Sequence, residues 1–258
     1  MKLGFIGTGT IATSVIEGFL KSKAKIEQIN ISTRSYKNSI KLRKKSKKIR
    51  AYSENQNIIN NSSIVFIGLL PKVAIKELKI CQFKKSQVIV SFVSTLNIKN
   101  LKKLCGPAKV IIKAAPLPMA SDGLSPTIIY PNHKLIKSLF ELTGSVIVAK
   151  NENQNNHLWV MSSFMATYAS IINSLKKYLL KNKVNNEDTN KYLNIFLTGM
   201  LFEFNHHNFD LNKSIKSLQT KGGINEELLK RLQKDKFFRK MEMNLNKIFL
   251  RLKKANDQ

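Results

Sequence analysis

The sequence predicts an α/β domain built on a doubly wound parallel sheet, followed by an all-helical domain. Three features predict it. The chain opens on strand, glycine turn and helix; apolar runs and helical periods alternate down to residue 150; beyond residue 151 strand-like alternation nearly ceases. The expected division is 1–150 for a dinucleotide-binding domain and 151–258 for a helical one.

The opening element is the most informative. An apolar run, Leu3 to Ile6, enters a turn with Gly7 and Gly9, and Ala12 holds the third small-residue position. Ile11, Val15, Ile16, Phe19 and Leu20 then recur at helical spacing. In this pattern the first glycine allows the tight turn and the second clears the approach of a pyrophosphate. The third small residue lets helix and strand pack closely. Free amides and the positive end of the helix dipole face the phosphates. Ile6, Gly7, Thr8, Gly9, Thr10 and Ile11 are therefore candidate cofactor contacts.

Ile26 to Ser32 alternates as a second strand and ends at Thr33-Arg34-Ser35. NAD-preferring folds carry an acidic residue about twenty positions past the glycines, on the ribose hydroxyls. No Asp or Glu lies between Glu27 and Glu54; Arg34 and Ser35 stand at the strand end, followed by the basic run Lys41 to Arg50. A guanidinium and a hydroxyl suit a 2′-phosphate, so NADP is expected over NAD.

The continuous apolar run in Ser63 to Leu70 fits a strand buried on both faces, and Pro71 opens a helix over Lys72 to Leu78. Gln87 to Val93 and Lys109 to Ala115 read as further strands, with a short helix over Asn97 to Leu104. Pro116 to Ala120 reads as a stiff extended segment. Thr127 to Tyr130 and Ser145 to Ala149 read as strands around a helix over Lys134 to Leu142. The polar stretch Asn151 to Asn156 marks the expected boundary. Helices follow over His157 to Lys181, Asn186 to His206, Ile224 to Lys234 and Phe237 to Leu252. Leu158 to Ile172 reads as a buried helix, too apolar to be covered by its neighbours alone, so burial between two copies is expected.

Composition narrows the function classes. The net charge of +28 is spread along the whole chain, without aromatic interleaving or a reader motif, and reads as compositional drift rather than a nucleic-acid surface. The N-terminus lacks a signal-peptide pattern, and no apolar stretch reaches the roughly 20 residues of a spanning helix. Two isolated cysteines, Cys81 and Cys105, make neither a disulfide framework nor a metal spacing. A soluble cytoplasmic protein without metal or membrane partner is expected.

Several segments together resemble the pyrroline-5-carboxylate reductase family across nearly the whole chain. Lys2 to Ala12 is similar to its first strand and glycine turn, and Ile64 to Pro71 to its third strand, which ends in a proline beside the cofactor. Lys113 to Ala120, with Gly123, resembles its Ala-Met-Pro-Asn segment near the nicotinamide. Ser162 to Tyr168 sits where the family has the start of its interface helix, and Thr220 to Glu226 resembles its Ser-Pro-Gly-Gly-Thr-Thr turn. The resemblance implies a Rossmann-type domain, a helical dimerisation domain, and NAD(P)H-dependent reduction of a cyclic imine, as in proline biosynthesis. It adds Leu69, Leu70, Pro71, Ala115 and Pro116 to the cofactor contacts. The chain departs from the family on the substrate side: Ile224 and Asn225 replace the two threonines, Phe164 and Met165 are bulkier than the family's residues, and Leu70 stands where a lysine is usual.

For the substrate carboxylate, Gly222 and Gly223 precede the helical pattern from Ile224, offering free amides at a helix N-terminus. Thr220 and Asn225 add a hydroxyl and an amide, and these residues with Ile224 form the expected substrate site. A cyclic imine arrives largely protonated, so positioning and anion binding suffice. No catalytic acid or base is assigned. His133 and the pair His206-His207 read as helix ends, His157 as a helix start, Tyr168 as core and Asp122 as a turn former. Reduction of a different cyclic ketimine and non-enzymatic NADP binding are the alternatives. A β-hydroxyacid dehydrogenase would carry a Gly-x-x-x-Lys-x-x-x-Asn helix, which is missing.

Overall fold

A computed structural model describes residues 1–257. Its contacts divide the chain into two compact units: Met1–Ser162 joined by the end of the chain from Ile248, and Ser163–Lys247.

The first unit is an eight-stranded sheet in the order β3-β2-β1-β4-β5-β6-β7-β8. The strands are β1 (Lys2–Ile6), β2 (Gln28–Ser32), β3 (Ile49–Tyr52), β4 (Ile64–Ile67), β5 (Val88–Ser91), β6 (Val110–Ala115), β7 (Ser125–Tyr130) and β8 (Gly144–Val148). All neighbouring pairs are parallel except β6 and β7, which pair antiparallel, so the expected doubly wound parallel sheet is present with its last two strands reversed. Helices α1 (Thr10–Lys21), α2 (Tyr36–Lys45), α3 (Asn55–Asn60), α4 (Pro71–Lys79), α5 (Ile98–Cys105) and α6 (Lys134–Glu141) connect them.

Both faces of the sheet are covered, which is why its central strands read as continuous apolar runs. One core joins Phe5 and Phe66 to Phe19 of α1, Leu42 of α2 and Phe140 of α6. Phe5 and Phe66 stack at 4.5 Å, and Phe140 meets Phe66 edge-on at 6.1 Å. The other core joins Ile67 and Ile89 to Ile59 of α3, Leu78 of α4 and Leu101 of α5.

The structure corrects the sequence reading in several places. The basic run holds two unforeseen elements, α2 and β3, and α3 follows them, so the expected third strand is the fourth in chain order. β3 is an edge strand with only Ile49 buried, and α2 buries only Ser39 and Leu42, so neither carries an apolar pattern. The run's lysines have a structural role: Lys45 and Lys41 pair with Glu17 of α1 at 2.6 and 3.5 Å. Burial opposes ionisation of Glu17, yet the two lysines hold its pKa below the usual carboxylate value.

Pro116 to Ala120 is only partly extended, because Pro118–Asp122 forms a 3-10 turn. Pro118 opens that turn, where its missing N–H is no loss. The turn lies so close to α1 that a Cβ on Gly18 would meet the Ala120 carbonyl at 2.2 Å. Lys21 binds its far end through Asp122 at 3.1 Å.

The polar Asn151 stretch is a helix start. α7 (Glu152–Val160) is capped by Asn151, whose side chain accepts from Gln154 N–H, while Gln154 Oε1 accepts from Lys150 N–H. This near-reciprocal cap resembles a capping box, and its residues imitate a linker in composition. Trp159 of α7 buries against Ala115, Ile128 and Ala149, so the first unit runs on to Ser162.

The expected helix over His157 to Lys181 is interrupted by a 3-10 turn at Met161–Ser163, and α8 (Phe164–Lys181) starts afresh. α9 (Asn186–His206), an unforeseen α10 (Leu211–Ser217), α11 (Ile224–Lys234) and α12 (Phe237–Asp257) follow, the last running beyond the expected Leu252. Trp159 and Val160 are buried, whereas α8 has no buried residue, so the single chain leaves this apolar helix uncovered.

Candidate functional site

The order β3-β2-β1-β4-β5-β6 reverses direction between β1 and β4, and such a switch point opens a crevice at the carboxyl ends of the strands. The residues proposed for the cofactor follow β1, β2 and β4 or close β6 at that edge.

Gly7 has φ +93°, and a Cβ there would meet the Gly68 carbonyl at 2.5 Å, so no other residue fits without moving β4. Gly9 differs. It has ordinary extended angles at the start of α1, and a Cβ on it would meet nothing within 4 Å. Its freedom from a side chain is not required by the fold; it leaves open space in front of the helix. No side chain caps α1 and no acidic residue sits in its first turn. The first helical bond runs from Thr13 N–H to the Gly9 carbonyl, leaving the preceding amides facing outward. A cradle of this kind suits an anion.

Thr8 is buried, its hydroxyl donating to the Ser32 carbonyl at 3.4 Å, while its own carbonyl accepts from Asn38 Nδ2 at 2.6 Å. The glycine turn is thus tied to β2 and α2. Thr10 is exposed; Ile6 is buried and Ile11 half-buried. Arg34, exposed at the end of β2, pairs with Glu77 Oε1 of α4 at 2.8 Å. Glu77 Oε2 accepts from Asn55 Nδ2 at 2.9 Å. Ser35 holds the N-cap position of α2 without a capping bond. Leu69 is half-buried, Leu70 is 75% exposed, and Pro71 begins α4. Ala115 and Pro116 are buried at the end of β6.

Sequence reasoning missed two groups. Glu77 and Asn55 reach Arg34 only through tertiary packing, and nothing local signals them. Lys113 did leave a signal, a lysine inside the apolar run of β6. It is fully buried, donates to the Ser94 carbonyl at 3.3 Å and lies 3.7 Å from Glu152 Oε1 and 5.3 Å from the centre of the Trp159 ring. Burial pushes its pKa from the usual 10.5 down to about 8, against the opposing pull of Glu152. Glu152 also accepts from Ile98 N–H at 3.0 Å, so the pair fastens β6 and α7 to the start of α5.

The expected substrate residues lie in the second unit. Gly222 has φ +73°, and Gly223 N–H bonds the Thr220 carbonyl at 2.8 Å before α11 begins. Thr220, Ile224 and Asn225 are exposed. Two of the expected donors are already engaged: Glu226 Oε2 accepts from Gly222 N–H at 2.7 Å, and Asn225 Nδ2 donates to the Leu218 carbonyl at 3.0 Å. Lys230, then the Gly222 amide, hold the Glu226 carboxyl below its usual range. His133 accepts from Ile136 N–H at the start of α6, His157 lies within α7 and stacks on Phe249 at 3.8 Å, and His206 and His207 end α9 beside Glu203. Among the described residues no group of three His, Cys, Asp or Glu is placed to hold a metal, and no helix is long and apolar enough to cross a membrane.

Residues 2–95 match the family model described as NADP oxidoreductase, coenzyme F420-dependent. Along 92% of the chain and 88% of the relative, the sequence is 23% identical to pyrroline-5-carboxylate reductase 2 of Bacillus subtilis. The fold matches the pyrroline carboxylate reductase of Plasmodium falciparum, a structure with NADP bound, at a TM-score of 0.86 and 18% identity, covering 99% of this chain and 98% of that one. The chain is thus similar to pyrroline-5-carboxylate reductases in sequence at low identity, and it shares their fold. A more distant likeness, at a TM-score of 0.58 and 14% identity, covers 84% of the chain and 77% of a reductive aminase of Aspergillus terreus in complex with NADPH and ethyl-5-oxohexanoate. The fold match spans nearly the whole chain and so includes the second unit.

Proposed function

We propose that the chain transfers a hydride from NADPH to the C=N bond of a cyclic imine carboxylate, with pyrroline-5-carboxylate as the first substrate to test. The observation that carries this reading is the uncapped, acid-free start of α1 behind Gly9, with Arg34 at the end of the adjacent strand. NADPH supplies the hydride when bound. The outward amides of the first turn of α1 hold its pyrophosphate, and Arg34 with Ser35 meets the 2′-phosphate. Leu69, Leu70, Pro71, Ala115 and Pro116 form the apolar border at the nicotinamide end. Thr220, Gly222, Gly223, Ile224 and Asn225 serve the substrate carboxylate, with Glu226 yielding the Gly222 amide to it.

The acting species is a homodimer or larger homo-oligomer, assembled through the C-terminal helices. Tyr192, Ile195, Phe196 and Phe202 recur at helical spacing on α9 and are all exposed in the single chain. Two free cysteines, one half-buried and one buried, suit a reducing cytoplasm.

NADPH oxidation measured with five- and six-membered cyclic imine carboxylates tests the reading. Turnover of at least one is expected; tight NADPH binding with no turnover on any supports the second reading, an NADP-binding protein without catalysis. That alternative draws on Glu226, which occupies an amide the substrate would need.

A further inference from the structure

Glu77 stands out among the residues around the proposed adenosine end. Arg34 and Asn55 sit just beyond the carboxyl ends of β2 and β3, and Glu77 reaches both from α4, on the far side of β1. One carboxylate oxygen accepts from Arg34 Nη1 at 2.8 Å and the other from Asn55 Nδ2 at 2.9 Å. Its side chain is 21% exposed against 59% for Arg34, so the carboxylate is the fixed partner and the guanidinium the accessible one. A guanidinium has five N–H donors in a planar fork, and the contact with Glu77 leaves the Nε and Nη2 edge free for a phosphate.

We propose that Glu77 is a specificity-determining residue, which holds Arg34 in place by its negative charge and thereby opposes the 2′-phosphate of NADPH. This rests on the NADPH reading given above. The two effects of the carboxylate have opposite signs. Holding the guanidinium reduces the rotamer freedom that a phosphate would otherwise have to freeze. Placing a negative charge on the same guanidinium repels a group that carries nearly two more. Both effects act on NADPH and leave NADH, which lacks the 2′-phosphate, almost untouched. In a partly exposed setting the repulsion is worth about five- to tenfold in affinity, and it exceeds the benefit of orientation. The chain's discrimination between the two cofactors is therefore smaller than Arg34 alone would give.

The test is a fluorescence titration of the full chain with NADPH and with NADH, without substrate, for wild type, Glu77→Gln, Glu77→Ala and Arg34→Ala. Glu77→Gln keeps an oxygen to accept from Arg34 and removes the charge. It is expected to tighten NADPH binding about five- to tenfold while NADH stays within about twofold. Glu77→Ala, which loses both the charge and the grip, is expected to gain less than Glu77→Gln. An NADPH:NADH affinity ratio unchanged or lowered in both Glu77 variants overturns the proposal. A wild type that binds NADH more tightly than NADPH, or neither, instead overturns the cofactor reading on which it rests. Thermal melting of each variant confirms that the comparison is between folded proteins.

Discussion

The two units bury their apolar residues in opposite ways. In the first unit Phe5, Phe19, Phe66 and Phe140 are all less than 2% exposed, and the sheet closes its own two cores. In the second unit α8 and α11 bury no residue and α9 buries only Thr189 and Leu193, while Ile195 and Phe202 are each 63% exposed. The first unit has the pattern of a finished domain; the second has the pattern of half an interface. Under the proposed function, cofactor binding and substrate binding would then rest on different kinds of completeness. The crevice over β1 and β4 is assembled by one chain, whereas the Gly222 turn belongs to the unit for which a second copy is proposed.

The largest effect expected from breaking this contrast is on assembly. Ile195→Glu with Phe202→Glu places two charges on one face of α9, and sedimentation is expected to find wild type an oligomer and the variant monomeric. Turnover in the imine assay is expected to fall about 100-fold or more, because the second unit loses its cover.

The next effect tests the cradle itself. A Cβ at Gly9 meets no atom of the fold within 4 Å, so the melting temperature of Gly9→Val should stay within about 2 °C of wild type. The side chain nevertheless fills the space in front of α1, and NADPH affinity measured by titration is expected to drop about 100-fold. Gly7→Val provides the contrast: at φ +93° and 2.5 Å from the Gly68 carbonyl it is expected to lower the melting temperature sharply before any ligand is added.

Removing one charge-assisted contact is a smaller change. Arg34→Ala is expected to weaken NADPH about tenfold and to leave NADH within about twofold. Equal losses for the two cofactors would mean that Arg34 does not meet the 2′-phosphate.

The smallest effect concerns stability alone. Lys113 is protonated in the unfolded chain up to its usual value near 10.5, but in the folded chain only up to about 8. Between those values the unfolded state binds more protons, so raising the pH through that window increases stability. Urea unfolding midpoints should climb over this range in wild type relative to Lys113→Met, which has no proton to lose. A wild-type curve that tracks Lys113→Met would show that the buried ammonium is not destabilised by its surroundings.

Legibility in the sequence follows the same division of the molecule. β1, β4, β5 and β6 were readable because strands covered on both faces must be apolar throughout; α9 follows an asparagine cap at Asn185, and α11 follows the glycine pair Gly222-Gly223. β3, α2 and α3 were not, since an edge strand and thinly buried helices leave no apolar pattern. The Asn151 stretch misled because capping residues and linker residues are the same amino acids. In the site, Gly7 and Gly9 could be read from spacing, while the clasp of Glu77 on Arg34 could not: those residues lie 43 positions apart and meet only through packing. Burial of α8 was read from its composition, but composition states that a face must be covered and not what covers it.

The contrast between the units is tested most directly by NADPH titration of the monomeric Ile195→Glu, Phe202→Glu variant. A self-contained cofactor unit predicts wild-type NADPH affinity, within about twofold, in a protein that no longer turns over imines. Loss of NADPH binding together with the oligomer would contradict it, because the crevice over β1 and β4 would then depend on a second copy.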